Sequence, residues 1–399
     1  MKVLFLTDNF PPEVNAPATR TYEHCKEWVK LGADVTVITC FPNFPEGKIY
    51  EGYKNKRIQR ETIDGIKVIR VYTYITANEG FVKRIFDYMS FMVAGFFAGL
   101  TVKTDVIVAT SPQFFTAIAG RWLSFWKRKP WIMEVRDLWP ESITAVGAVK
   151  RNAAIRFFEW LEKRMYKSAS RIVVVTDSFA KTIIEKHGVS PEKIKVIKNG
   201  ANLELYKPTP KNTLLIDELG LKDKVVIGYI GTHGMAHGLD FILKSAKNIK
   251  DDSIHFLLIG SGAKRKELLK LKEELDIQNV TMLEAIPKDK VKDYISILDI
   301  GLVNLKKSDT FLSVIPSKIF ELAAMYKPIL LGVEGESAKI ITDYNVGETF
   351  EPENEADFFR KIQMLKDREA SFDFDRLTTD FDRKELANRL LKFISSVKK

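Results

Sequence analysis

Cysteine is nearly missing from this chain: two residues in 399, Cys25 and Cys40, offer no disulfide framework. The five histidines do not gather around them and no metal-ligand spacing appears, so no metal site is expected. That usage fits a reduced, cytoplasmic protein. A signal-peptide core is also lacking, because the opening MKVLFLTD has too few apolar residues in a row and reads as a buried strand. The Walker pattern is absent, and so is a full G-x-G-x-x-G fingerprint after the first strand, which weighs against a P-loop NTPase and an ordinary NAD enzyme. The one long apolar run, Tyr88–Val102, has fifteen uncharged residues, short of the ~20 that a membrane-spanning helix needs. It reads as a buried or interfacial helix, with Gly95 and Gly99 compatible with close helix packing.

Positive charge is abundant. The net charge is +10, and the excess sits in the first half: residues 47–84 hold nine Lys/Arg against four Asp/Glu, and residues 121–167 eleven against five. Such a balance suggests an anionic partner: nucleic acid, membrane headgroups or a phosphorylated small molecule. With Lys83, Arg84 and Lys103 flanking it, the apolar helix suits docking on an acidic bilayer.

Short β-branched runs alternate with amphipathic stretches of helical length, the pattern of parallel strands joined by crossover helices. Strands are expected at Val3–Thr7, Asp34–Thr39, Ile66–Tyr72, Asp105–Thr110, Trp131–Val135, Arg171–Thr176 and Ile194–Ile197. A second set is expected at Val225–Ile230, Ile254–Ile259, Asn279–Leu283, Asp299–Val303, Pro328–Leu331 and Val346–Phe350. Between the sets, Asn199–Asn212 loses regular pattern and gains prolines, which marks a linker. The expected fold is therefore α/β, two Rossmann-like domains of residues 1–205 and 206–382, with a last helix at 383–397 free to return to the first.

Ligands of doubly wound sheets collect at the carboxyl ends of the strands. Three such loops in the second half suit a phosphate: one with Gly231, Gly234, His237 and Gly238, one with Gly260, Gly262 and Lys264, and a helix start carrying Ser317, Lys318 and Glu321. Small residues admit backbone amides to a phosphate and lysine supplies charge. The plainer reading of each loop is a tight turn or a capped helix. In the first half, the loop after the first strand (Asp8, Asn15) and the segment Arg136–Ser142, with Arg136, Asp137 and Glu141, could meet those loops across a cleft. Here the plainer reading is a local Arg136–Asp137 ion pair and ordinary packing of Trp139.

Taken in order, FPPEV, ATSPQ, EVRDLWPES, KNGAN, GTHGMAHGLD, LIGSGAKRKEL and PSKIFELAAMYKPIL resemble a family 4 glycosyltransferase of the GT-B fold, closest to the N-acetyl-L-fucosaminyl transferases of surface-polysaccharide assembly. The resemblance implies retaining transfer of a sugar, an N-acetylated hexosamine or deoxyhexosamine, from a UDP-sugar to a lipid-linked saccharide acceptor. It implies no cofactor and no essential metal. By it, the second domain holds the nucleotide, with Glu321 on the ribose hydroxyls, Lys318 near the diphosphate and Gly260–Gly262 close to the base or phosphates. The first domain holds the acceptor, with Asp137 near the transferred sugar and Arg136, Asn15 and Glu141 beside it. The chain departs from the family pattern at Ser313, where a first glutamate is usual, at His237 in place of a lysine, and at Arg136 in place of a histidine. The Asn15-Ala16-Pro17 run replaces the usual glycines. Partners expected are a nucleotide sugar, the lipid-linked acceptor and an anionic membrane at the inner face of the cytoplasmic membrane, and no nucleic acid. The competing readings are a nucleotide-sugar epimerase on the same scaffold and a non-enzymatic basic binder of membranes or nucleic acid.

Overall fold

The computed structural model describes residues 1–44, 47–76, 81–111, 114–139, 153–368 and 371–397. The chain divides into two compact units, residues 1–198 with 383–399, and residues 199–382.

The first unit is built on β1 (Lys2–Leu6), β2 (Asp34–Cys40), β3 (Ile58–Ile63), β4 (Ile66–Val71), β5 (Val106–Thr110), β6 (Trp131–Val135), β7 (Arg171–Val174) and β8 (Ile194–Val196). They lie in the order β3-β4-β2-β1-β5-β6-β7-β8. Every neighbouring pair is parallel except β3 with β4. Among the described residues, its α-helices before the second unit are α1 (Ala16–Lys30), α2 (Phe81–Leu100), α3 (Phe114–Lys127), α4 (Ala153–Ser168) and α5 (Asp177–His187).

The second unit carries β9 (Val225–Ile230), β10 (Ile254–Ile259), β11 (Val280–Leu283), β12 (Ile300–Asn304), β13 (Ile329–Gly332) and β14 (Gly347–Thr349) in an all-parallel sheet of order β11-β10-β9-β12-β13-β14. Its helices are α6 (Thr213–Glu218), α7 (Leu239–Asn248), α8 (Arg265–Glu274), α9 (Val291–Ser296), α10 (Lys318–Ala324), α11 (Glu336–Tyr344), α12 (Glu355–Lys366) and α13 (Phe374–Asp380). The strand order reverses between β9 and β12, so the crevice at their carboxyl ends is where a ligand belongs. The chain then re-enters the first unit as α14 (Arg383–Ser395).

Alternation along β1 shows how the first core is made. Leu4 and Leu6 pack with Phe91 of α2, Leu123 of α3 and Met165 of α4 on one face. Val3 and Phe5 pack with Trp28 of α1 and Leu386, Leu390 and Ile394 of α14 on the other. The neighbouring strands β5 and β6 are buried along their whole length, as parallel strands covered on both faces must be.

All the expected strands form, with ends shifted by one or two residues. The strand expected over Arg171–Thr176 stops at Val174 because Thr176 caps α5, its hydroxyl accepting from Phe179 N–H at 3.2 Å. One strand, β3, was not expected at all. The expected apolar helix is α2, longer than its uncharged run and starting at Phe81. Among the described residues no helix is long and apolar enough to cross a membrane. Gly99 explains how α2 lies so near α3: a Cβ there would fall 2.5 Å from Leu123 Cδ1.

Candidate active site

In the second unit the loops after β9 and β10 extend the parallel ladder past the strands themselves. Gly231 N–H donates to Ile259 O at 2.8 Å, His233 N–H to Ser261 O at 2.8 Å and Gly260 N–H to Leu283 O at 3.1 Å. These amides are therefore committed inside the protein, which changes what the glycines do. A Cβ on Gly260 would lie 1.7 Å from Gly231 O, and one on Gly231 2.4 Å from Lys318 Cε and Nζ, both at φ of +153°. The glycines allow the two loops and the Lys318 side chain to approach one another closely.

Lys318 begins α10, a seven-residue helix. Ser317 at the N-cap position makes no side-chain capping bond and is itself helical, so an ordinary capped start does not account for the segment. The Lys318 ammonium lies 3.8 Å from the centroid of the Tyr229 ring. Burial pushes its pKa down to about 7, with Glu321 one turn along opposing that shift. Tyr229 is itself fully buried and its hydroxyl donates to Thr232 O at 2.8 Å, fixing the platform under the lysine.

Two imidazoles border this platform. His233 is fully buried and neither ring nitrogen has a hydrogen-bond partner. Burial, then Arg265 and Lys318, lower its pKa to about 4. His237, with its ring 6.0 Å from Tyr229, is held near 4 by burial and by Lys318. Both are neutral at physiological pH and so offer hydrogen bonds to a ligand, not charge. Asn304 at the end of β12 donates to His237 O at 2.9 Å and ties the two sides of the strand-order reversal together.

Lys264 is placed less favourably than the sequence suggests. It precedes α8 and its ammonium pairs with Glu267 at 2.5 Å on the surface. Its neighbour Arg265 is the inner cation, donating to Gly260 O at 3.0 Å and paired with Glu284 at 2.9 Å. A cavity of about 260 Å³ opens beside Gly234, Met235, Lys264 and Lys306, over Leu268 and Leu271. Neither Lys318 nor Glu321 lines it. Ser313 follows the short 3-10 turn Asp309–Phe311, and Leu312 beside it accepts from Glu336 N–H at 2.9 Å.

In the first unit, Arg136 and Asp137 follow β6 and act on different charged neighbours. Arg136 lies with Glu134, Arg20 and Arg383, and burial with these cations brings its pKa down to about 10. Arg20 donates to Glu134 Oε1 at 3.1 Å and to the carbonyls of Ile197 and Lys198, each at 2.9 Å. Burial works against the Glu134 carboxylate, but Arg20 and Arg136 outweigh it and its pKa is lowered. Asp137 instead acts on α4, adding to the burial that raises Glu162 to about 8 and raises Tyr166. Trp139 stacks on Phe114 at 4.8 Å and meets Phe158 at 4.9 Å, the ordinary packing role. Asn15 caps α1 by accepting from Ala18 N–H at 2.8 Å and donates to Asn9 at 2.9 Å. Glu141 lies outside the described residues.

The sequence reading passed over His233, Tyr229 and Glu13, and of the three cations Lys264, Arg265 and Lys266 after the glycine loop it chose Lys264. Glu13 is buried, its Oε1 accepting from Asn43 N–H at 2.8 Å and Phe44 N–H at 2.9 Å. A glutamate between a proline pair and the start of an amphipathic helix was the available signal for it.

Two family models match the chain: Glycosyl transferase 4-like domain over residues 15–200 and Glycosyl transferases group 1 over residues 212–376. An Escherichia coli (strain K12) protein named "Putative colanic acid biosynthesis glycosyl transferase" is 24% identical over 334 residues, 82% of this chain and 81% of that one. A Bacillus subtilis (strain 168) protein named "Putative teichuronic acid biosynthesis glycosyltransferase" is 25% identical over 59% of this chain and 58% of its own length. An Anabaena protein solved with UDP and glucose superposes with a TM-score of 0.72 at 17% identity, over 99% of this chain and 100% of that one. Sucrose-phosphate synthase from Thermosynechococcus elongatus gives 0.74 at 14% identity, over 99% and 98%. The chain is thus a glycosyltransferase of the GT-B fold, its first domain 4-like and its second of group 1.

Proposed function

We propose that the protein is a retaining, metal-independent transferase that moves an N-acetylated hexosamine or deoxyhexosamine from a UDP-sugar to a lipid-linked saccharide. The reaction belongs to surface-polysaccharide assembly at the inner face of the cytoplasmic membrane, and needs no cofactor. The observation that carries the donor half is the desolvated Lys318 ammonium, held over Tyr229 and against Gly231 with Glu321 one turn along, beside the reversal in strand order. The names of the colanic and teichuronic relatives support the polysaccharide, and the UDP-bound Anabaena structure supports the donor class.

Lys318 faces the diphosphate and Glu321 accepts the ribose hydroxyls. In the transfer, the bond from the anomeric carbon to the phosphate oxygen breaks and its electron pair leaves with UDP. The acceptor oxygen bonds to the same face of that carbon, and its proton passes to the departing phosphate oxygen. Lys318 stabilises the charge that develops on the leaving group.

The test is a thermal-shift panel with UDP, GDP and ADP, each with EDTA and with magnesium. UDP alone raises the melting point, insensitive to EDTA, because it binds only the native state. Glu321→Ala weakens UDP about tenfold, near ~1.4 kcal/mol. Unchanged UDP affinity in that variant removes Glu321 from the site, and no shift with any nucleotide sinks the donor reading.

A further inference from the structure

The outer surface of α2 and α3 is unusual for a helical layer of a doubly wound sheet. On α2, Phe86, Val93, Phe97 and Leu100 are exposed, with Phe97 at 63%. Their spacings of seven, four and three residues place them on one face of the helix, a stripe about 21 Å long at 1.5 Å per residue. Trp122, Phe125 and Trp126 continue it on α3, with Phe125 at 78% and Trp126 at 68% exposure. The two helices form one surface: Phe96 meets Phe97 at 5.4 Å and Trp122 at 5.8 Å, and Lys127 Nζ donates to Leu100 O at 3.0 Å.

Core packing does not need these side chains, because the inner faces of both helices already fill the cluster around Leu4, Phe91 and Leu123. A contiguous exposed apolar surface of this kind marks a contact with something else.

Charge says what that contact is. Between residues 81 and 130 there are seven Lys/Arg and two Asp/Glu. Lys83, Lys103 and Arg128 are exposed around the stripe and form no ion pair among the described residues. A second copy of this chain docked face to face would bring like charges together. A nucleic-acid duplex would match the cations and leave the phenylalanines and tryptophans in water, and a single strand would stack on the aromatic rings but leave the aliphatic Val93 and Leu100 of the same stripe uncovered. An anionic bilayer matches both, with aromatic side chains at the headgroup level and cations over the lipid phosphates.

We infer that the α2–α3 face is a bilayer-docking surface that takes an anionic leaflet, with Phe97, Phe125 and Trp126 entering the interface and Lys103 and Arg128 on the headgroups. It rests on the reading of a lipid-linked acceptor and names the surface that brings the enzyme to it. Neither helix spans the bilayer: both lie along the membrane plane and keep their inner faces on the sheet.

The experiment is flotation of the full chain with vesicles of phosphatidylcholine alone or mixed with phosphatidylglycerol, at low and high salt. The chain floats with the phosphatidylglycerol vesicles at low salt, binding them about tenfold or more tighter than phosphatidylcholine alone, and salt weakens the binding. The double variant Phe125→Ser/Trp126→Ser loses about tenfold in partition, and Lys103→Glu/Arg128→Glu loses the preference for anionic lipid. Both keep the wild-type circular dichroism and UDP thermal shift, which separates docking from folding and from donor binding. Equal flotation of Phe125→Ser/Trp126→Ser and wild type overturns the assignment. So does a wild-type dimer in light scattering that this variant dissolves, which would make the face an interface between copies. Loss of flotation with UDP binding intact bears on the membrane alone, whereas flotation without any UDP response sinks the transferase reading and leaves the surface standing.

Discussion

At the scale of single residues, the informative observation is a lysine whose charge is unfavourable until a ligand arrives. In the absence of a ligand its pKa is about 7, lowered by burial from the usual 10.5. Because the unfolded chain binds the extra proton between pH 7 and 10.5, this residue opposes folding below pH 7, and the opposition fades as pH rises through that window. A diphosphate reverses the balance by stabilising the ammonium, so binding takes up a proton above pH 7. UDP affinity is therefore expected to fall with rising pH from 7, by up to about tenfold per unit. Calorimetry at pH 8 in two buffers of different ionisation enthalpy reads the uptake directly, and Lys318→Met abolishes both slope and uptake. Tight UDP binding with a buffer-independent enthalpy at pH 8 would place the lysine away from the phosphates. Lys318 and Glu321 were legible because they are polar residues on the first turn of an otherwise apolar helix. Arg265 was not, since Lys264, Arg265 and Lys266 are equivalent on paper and only the fold turns one of them onto Gly260 O. His233 was hidden for the same reason: nothing in Thr-His-Gly says that the ring turns inward.

Elements were legible where burial dictates composition. Strands such as β5 and β10, closed on nearly every side, announce themselves as apolar runs. The missed strand β3, Ile-Gln-Arg-Glu-Thr-Ile, is an edge strand exposed on one side and alternating with charge. Its signal lay in the turn that follows. Asp64 and Gly65, with φ of +47° and +79°, join β3 to β4 as a two-residue hairpin with Ile63 opposite Ile66. An Asp-Gly pair between β-branched residues would have supplied the strand. The knitted loops after β9 and β10 lead to a firmer expectation at this scale. Gly260→Ala sets a Cβ against Gly231 O in a left-handed conformation, and Gly231 in turn abuts Lys318. The loops must part, so stability drops by about 1–3 kcal/mol and UDP binding weakens with it. Chemical denaturation and UDP titration of the variant measure both. A destabilised variant that binds UDP as well as wild type would show that the loop geometry does not reach the nucleotide.

At the scale of the molecule, the chain crosses between its units twice, and both crossings are anchored on the first. Ala201 N–H donates to Phe381 O at 3.1 Å, so the outgoing and returning segments run side by side. Arg20 of α1 holds the outgoing carbonyls of Ile197 and Lys198, and Glu23 one turn along pairs with Arg383 on the return. Beyond Arg383 the chain spends its last helix completing the first core: Leu386, Leu390 and Ile394 are buried on α1 and β1, and Trp28 Nε1–H donates to Ala387 O at 2.8 Å. No periodicity in the sequence could assign that helix, because its apolar stripe would suit any exposed core face. Burying three large aliphatic side chains contributes roughly 5–9 kcal/mol, against the 5–15 kcal/mol that holds an ordinary domain together. Deleting residues 383–399 is thus expected to leave the first unit with little or no net stability, while the second, closed by the Ala201–Phe381 contact, keeps its fold. Hydrogen exchange on the truncated protein separates the outcomes. Peptides from β1, β5 and β6 lose protection and those from β9, β10 and β12 retain it if stability is partitioned as the cores are. Equal loss in both sets would mean that the two units fold as one cooperative body, and equal retention that α14 adds little to the core it covers.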